Sequence, residues 1–221
     1  MIKKLEILVV EDQPKHLADV KAVLEDRRQY GTEADYVSTL DGIKRELKEK
    51  KYDGILSDVF FPEKEGGEEA PSGLWVAEYG IQNGVPFVLV TSTYHHGSKT
   101  EPIHSWLCYD KGLALVDLQH LDENYQMKDS EGESGRKNWK GGFLSLMFFI
   151  EGVKQGLISN DPDNFGKPVD RNAPVSARSM TDRVNAAHIK GTLPSFERGF
   201  SEVGRRLAIE VFERYGRDLY S

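Results

Sequence analysis

Residues Leu5–Pro14 read LEILVVEDQP and residues Tyr52–Pro62 read YDGILSDVFFP. Each is a short apolar run that ends in acidic residues, as expected of a strand buried on both faces whose carboxyl end reaches solvent. Working outward, Pro14 can occupy the first turn of a helix, and Leu17, Val20, Val23 and Leu24 follow at helical spacing. Ala34–Val37 reads as a weak second strand and Leu40–Lys50 as a second amphipathic helix. Tyr52–Ser57 with Val59 and Phe60 forms a third strand, Gly73–Ile81 a third helix and Pro86–Val90 a fourth strand. Trp106–Tyr109 (WLCY) reads as a fifth. Gly97 and Pro102 interrupt the stretch before it, so the helix there should be short, irregular or missing. Alternation of this kind implies βαβ units around a parallel sheet.

After Gly112 the alternation stops. Asp129–Lys137 reads as a polar Gly/Ser-rich loop, Phe143–Val153 as a well-buried helix, and Asn160–Val175, with three prolines, as an extended loop. A last helix over about Phe196–Leu219 places Phe196, Phe200, Val203, Leu207 and Val211 on one stripe. The expected organisation is therefore a core over 1–112 and a mainly helical, loop-rich extension over 113–221, whose last helix could complete the core fold.

The 221 residues carry a net charge of −7. Residues from Asn160 onward hold ten Lys and Arg against nine Asp and Glu, so the acidic excess lies in the first 159. A nucleic-acid-binding tail should be far more basic. No apolar stretch is long enough to cross a bilayer, and the single cysteine, Cys108, can form neither an internal disulfide nor a cysteine metal cluster. A cytoplasmic protein is expected.

The polar residues that carry chemistry fall at strand ends. Glu11 and Asp12 follow strand one, Asp58 ends strand three, Thr91 follows strand four and Lys111 follows strand five. In a doubly wound sheet these ends gather at one edge. Taken singly, Asp12 suits a helix cap and Asp58 a strand-end turn. Taken together, three carboxylates in a small site repel one another unless a hard cation such as Mg²⁺ neutralises them. Lys111 and the Thr91 hydroxyl would complete a site for a phosphoryl group.

At this point the chain resembles the receiver (CheY-like) domains of response regulators in two-component signalling. The resemblance rests on ILVVEDQP, YDGILSDVFFP, SGLWVAEYGIQNGVPFVLVTS and the lysine of YDKG, and spans roughly Lys3–Gly112. It implies a flavodoxin-like, doubly wound, five-stranded parallel sheet of order 2-1-3-4-5. It implies Asp58 as phospho-acceptor, and Mg²⁺ held by Glu11, Asp12, Asp58 and the carbonyl of Phe60. Thr91 would be the switch hydroxyl and Lys111 the phosphate-pairing cation. The implied partners are a sensor histidine kinase or phosphotransfer protein and a downstream protein, with no membrane. The protein would be a switch with slow autodephosphorylation rather than a conventional enzyme.

The chain departs from the family pattern in three places. Gly112 stands where a proline usually follows the lysine, Cys108 where an aromatic usually precedes it, and the loop Pro62–Ser72 is longer. These departures favour an alternative, a phosphorylation-independent pseudo-receiver acting as a protein-interaction module. An enzyme active site in the C-terminal half finds no motif to support it. His95 and His96, adjacent in a polar loop, read as solvated. Residues beyond Gly112 should dock near strands four and five or build a dimer interface.

Overall fold

The computed structural model describes residues 4–25, 31–92, 98–117, 137–172, 174–189, 194–196 and 200–219. Its centre is a four-stranded parallel sheet of β1 (Leu5–Val10), β2 (Thr32–Val37), β3 (Gly54–Asp58) and β6 (Phe87–Val90), in the order β2-β1-β3-β6. Apolar-polar alternation is absent from β1 and β3 because both faces are covered: Ile7 to Val10 and Ile55 to Asp58 are all buried. Helices α1 (Pro14–Glu25), α2 (Leu40–Glu49) and α3 (Gly73–Asn83) connect the strands. The Thr39 hydroxyl caps α2 by accepting from the Gly42 N–H at 3.1 Å. The acidic loop after β3 contains a small antiparallel pair, β4 (Phe61–Pro62) and β5 (Glu69–Ala70), whose connecting residues 63–68 are exposed.

The sheet differs from expectation at its open edge. Trp106–Tyr109 is not a strand. It lies in a π-helical turn, Trp106–Asp110, that continues α4 (Glu101–Ser105). Pro102 does not break α4, because it sits in the first turn, where a missing N–H leaves no bond unmade. The chain reaches the edge of β6 only later, through one parallel bridge between Val90 and Val116. The Thr91 N–H donates to the Val116 carbonyl at 2.9 Å, and the Val116 N–H to the Leu89 carbonyl at 3.0 Å.

The expected boundary after Gly112 therefore cuts through the packed unit. Helix α5 (Trp139–Lys154) lies against β3, β6 and α1, and every residue from Phe143 to Ile150 is buried. Gly142 allows the close approach: a Cβ there would lie 2.7 Å from Val90 and 3.1 Å from Leu56. Phe87, on the opposite face of β6 from Val90, meets Gly80 of α3. The sheet is thus covered by α5 on one side and α3 on the other. Helix α6 (Ala177–Ile189) packs on α5, and Asn185 donates from Nδ2 to the Leu115 carbonyl at 2.9 Å. Helix α7 (Glu202–Val211), capped by Ser201, also packs on α5 and continues through a π turn and a short 3-10 turn to Leu219. The C-terminal half thus docks beside the fourth strand position, and one apolar core runs through both halves. Among the described residues, no helix is long and apolar enough to cross a membrane.

Gly142→Ala should force α5 away from the sheet or displace Val90, and overpacking of this kind costs about 1–3 kcal/mol. Urea denaturation should show the midpoint falling accordingly.

Candidate functional site

Three strand ends converge at the carboxyl edge of the sheet. Asp58 is the last residue of β3 and pairs in register with Val90, the last residue of β6. Its neighbour at the adjacent strand end, Thr91, is buried. Glu11 follows β1, fully buried, with its N–H bonded to the Val37 carbonyl. Glu11, Asp12 and Asp58 each present a carboxylate oxygen, and these oxygens lie within 4.8 Å of one another. Gly73 keeps the floor of the site tight, since a Cβ there would lie 2.8 Å from the Asp58 carbonyl.

The cation facing this cluster is Lys137. Its Nζ lies 2.5 Å from Glu11 Oε2 and 2.7 Å from Asp58 Oδ2, and its side chain is 1% exposed. The remaining oxygens of both carboxylates accept backbone N–H groups: Glu11 Oε1 from Gln13 at 2.9 Å and Asp58 Oδ1 from Val59 at 2.7 Å. Asn138 fixes where Lys137 stands. Its side-chain oxygen caps α5 by accepting from the Gly141 N–H at 2.9 Å, so the residue just before the cap is held at the sheet edge.

Lys111 is placed elsewhere. It ends the π turn, with Nζ 5.4 Å from the centre of the Trp106 ring, and precedes the segment that runs parallel to β6. The sequence reading tied the lysine to a strand at Trp106–Tyr109, which is a π turn here, and among the described residues the lysine in contact with Glu11 and Asp58 is Lys137. Two signals pointed to the alternative: the apolar run Leu113–Val116, and an asparagine cap directly after Lys137 and before a long apolar helix. Phe60, expected to offer its carbonyl, is half-buried between Val59 and β4. His95 and His96 lie outside the described residues.

Burial dominates the electrostatics. It pushes the Glu11 carboxyl up to about 7, against the pull of Lys137, with Asp58 adding to the rise. It pushes Asp58 up to about 6, again opposed by Lys137. Burial raises Asp12 as well, and Glu69 of β5 adds to the effect. One Asp12 oxygen, Oδ1, is buried without a hydrogen-bond partner among the described residues. Three crowded carboxylates, one with a vacant acceptor, suit a hard divalent cation bound through oxygen.

No family model matches the chain, and no curated protein matches it. Solved structures do. The receiver domain of a signal transduction histidine kinase from Syntrophus aciditrophicus aligns at 26% identity over 51% of this chain and 75% of its own, with a TM-score of 0.37. The non-phosphorylated receiver domain of the stress response regulator RcsB from Escherichia coli aligns at 12% identity over 52% of this chain and 99% of its own, with a TM-score of 0.35. The RcsB response regulator of Salmonella typhimurium aligns at 11% identity over 87% of this chain and 95% of its own, also at 0.35. These TM-scores are low, and the functional reading rests on the geometry of the site.

Burial makes Glu11 and Asp58 bind protons more tightly in the folded state than in the unfolded one. Their contribution to stability is therefore present at acid pH and lost as pH rises through about 4.5 to 7. In metal-free solution the urea midpoint should fall between about pH 5 and about pH 7.5. Glu11→Gln should remove much of that fall, and an unchanged profile in the variant would show that Glu11 does not titrate this way.

Proposed function

We propose that this chain is a response-regulator receiver in which Asp58 accepts a phosphoryl group and Lys137, rather than Lys111, pairs with it. The observation that carries the reading is the buried meeting of Glu11, Asp12, Asp58 and Lys137 at the carboxyl edge of the sheet. The donor is a phosphohistidine on a histidine kinase or phosphotransfer protein. An Asp58 carboxylate oxygen attacks the phosphorus in line, the N–P bond breaks, an acyl phosphate O–P bond forms, and the imidazole leaves and takes up a proton. Glu11, Asp12, Asp58 and the Phe60 carbonyl would hold Mg²⁺, which supplies charge neutralisation for the phosphoryl oxygens. Lys137 neutralises charge from the other side, and the Thr91 hydroxyl donates to a phosphoryl oxygen.

Positioning is what the fold contributes. Asp58 is held by the Val59 N–H, and Lys137 by the cap of α5. The acyl phosphate carries about −1.5 to −2 of charge where the carboxylate carried −1, so α5, whose cap follows Lys137, is the element through which the change reaches α6 and α7. Phe60, two positions past Asp58, cannot orient a water for attack, so the phosphorylated state should be long-lived.

A second reading, a phosphorylation-independent interaction module, is favoured by one observation. Lys137 already bridges Glu11 and Asp58, so these two carboxylates share a counter-charge without any ligand.

Treatment with acetyl phosphate or a kinase should add one phosphoryl group detectable by mass spectrometry, and Asp58→Asn should abolish it. Beryllofluoride with Mg²⁺ should change the protein's conformation, and the module reading expects no change. Lys137→Met should block this response and lower stability by about 3–5 kcal/mol, because two carboxylates lose their buried partner. Lys111→Met should do neither, staying within about 0.5 kcal/mol.

A further inference from the structure

A cavity of about 520 Å³ opens beside the acidic edge, one strand over, at the carboxyl ends of β1 and β2. In open parallel sheets, ligands bind in crevices outside the carboxyl ends of the strands, and this volume falls within the range of small-molecule sites. Helix α1 lines one side with Leu17 and Lys21, and α2 lines another with Asp41 and Arg45. The loop joining β4 and β5 adds Lys64 and Glu65. Two local features hold these walls in place. The Asp41 N–H donates to the Glu63 carbonyl at 3.0 Å, which ties the loop to the start of α2. Gly42 lets α2 sit close to β2, since a Cβ there would lie 3.3 Å from Val37.

Three cations from three separate elements, Lys21, Arg45 and Lys64, share this one cavity in a chain of net charge −7. Among the described residues no carboxylate pairs with Arg45 or Lys64, whereas Lys50 and Lys137 each hold two. Lys21 Nζ lies 5.0 Å from the centre of the Tyr36 ring, a contact through the ring face that leaves ammonium donors for a ligand. Leu17, Tyr36 and Val37, packed against the core, give the cavity an apolar wall. Asp41 and Glu65 are acceptors suited to hydroxyl groups. Glu11 is fully buried and marks the inner end, where its carboxylate repels an anion. A negative group therefore belongs at the outer end, with the exposed Arg45 and Lys64.

The geometry points to a nucleoside monophosphate as the ligand of this cavity. Its phosphate binds the planar fork of Arg45 and the Lys64 ammonium, with Lys21 adding a third positive charge. Its ribose hydroxyls donate to Asp41 or Glu65, and its base lies on the wall of Leu17, Tyr36 and Val37. An inorganic anion would leave that wall bare, and an uncharged nucleoside would leave the cations unmatched. The inference goes beyond the phosphoryl transfer proposed at Asp58 and does not rest on it, because Asp58 is not among the residues that line the cavity. Glu11 belongs to both places, so a ligand here is a second chemical input beside the acidic edge.

The test is calorimetry on the full chain in Mg²⁺-free buffer, with AMP, adenosine and inorganic phosphate as separate probes. AMP should bind, and adenosine and inorganic phosphate should each bind about tenfold more weakly or worse. Arg45→Ala and Lys64→Ala remove exposed side chains and should leave folding intact. Each should weaken AMP binding about tenfold, the effect of losing a hydrogen bond between charged groups. Lys48→Ala removes an exposed charge from the same helix but outside the cavity, and should leave AMP affinity unchanged. An absence of AMP binding would overturn the inference. So would adenosine or inorganic phosphate binding as tightly as AMP. An equal loss in Lys48→Ala would overturn it as well, because attraction by overall charge would then account for the binding.

Discussion

The structure depends on one buried ammonium. Lys137 sits between Glu11 and Asp58 with almost no access to water, and without it two carboxylates would face each other in the driest part of the carboxyl edge. Burying a single charge is costly, and burying two of like sign is costlier still. The chain's solution is to bring in a counter-charge from 79 residues beyond Asp58, carried just before the cap of a helix.

That solution sets the demands on α5. The helix must lie close enough to the sheet for its first residues to reach the edge, and the small side chains at the contact allow it. Gly142 meets Val90 and Leu56, and Gly54 of β3 meets Leu146 and Ile150 in the same way. Phe143 to Ile150 then fill the space between sheet, α6 and α7. The same helix therefore serves two purposes, closing the core and delivering the cation.

Lys137 also links the acidic edge to the C-terminal half. Any charge added at Asp58 is felt first by Lys137, and through it by α5, which α6 and α7 both contact. Both α6 and α7 thus pack on the helix that begins beside Lys137. Asn185, bonded to the Leu115 carbonyl, ties α6 to the same edge of β6.

The first four strands and the convergence of Glu11, Asp12, Asp58 and Thr91 were determined locally, and so were legible in the sequence. Each acidic residue follows an apolar run directly, so placing the run places the residue. The parallel order then brings the ends together by geometry alone. Lys137 and the edge segment Leu113–Val116 were decided only by the tertiary structure. Trp106–Tyr109 and Leu113–Val116 are both short apolar runs, and nothing within either says which one reaches β6. The choice belongs to packing: α4 continues through the π turn, the later run bridges Val90, and α5 seats itself where Gly142 permits. Helix α6 was likewise hidden, because Arg178, Ser179, Asp182, Arg183 and Asn185 dilute its apolar pattern and its helicity follows from contact with α5. A counter-charge for a buried site can come from any distance along the chain, since what selects it is proximity in space.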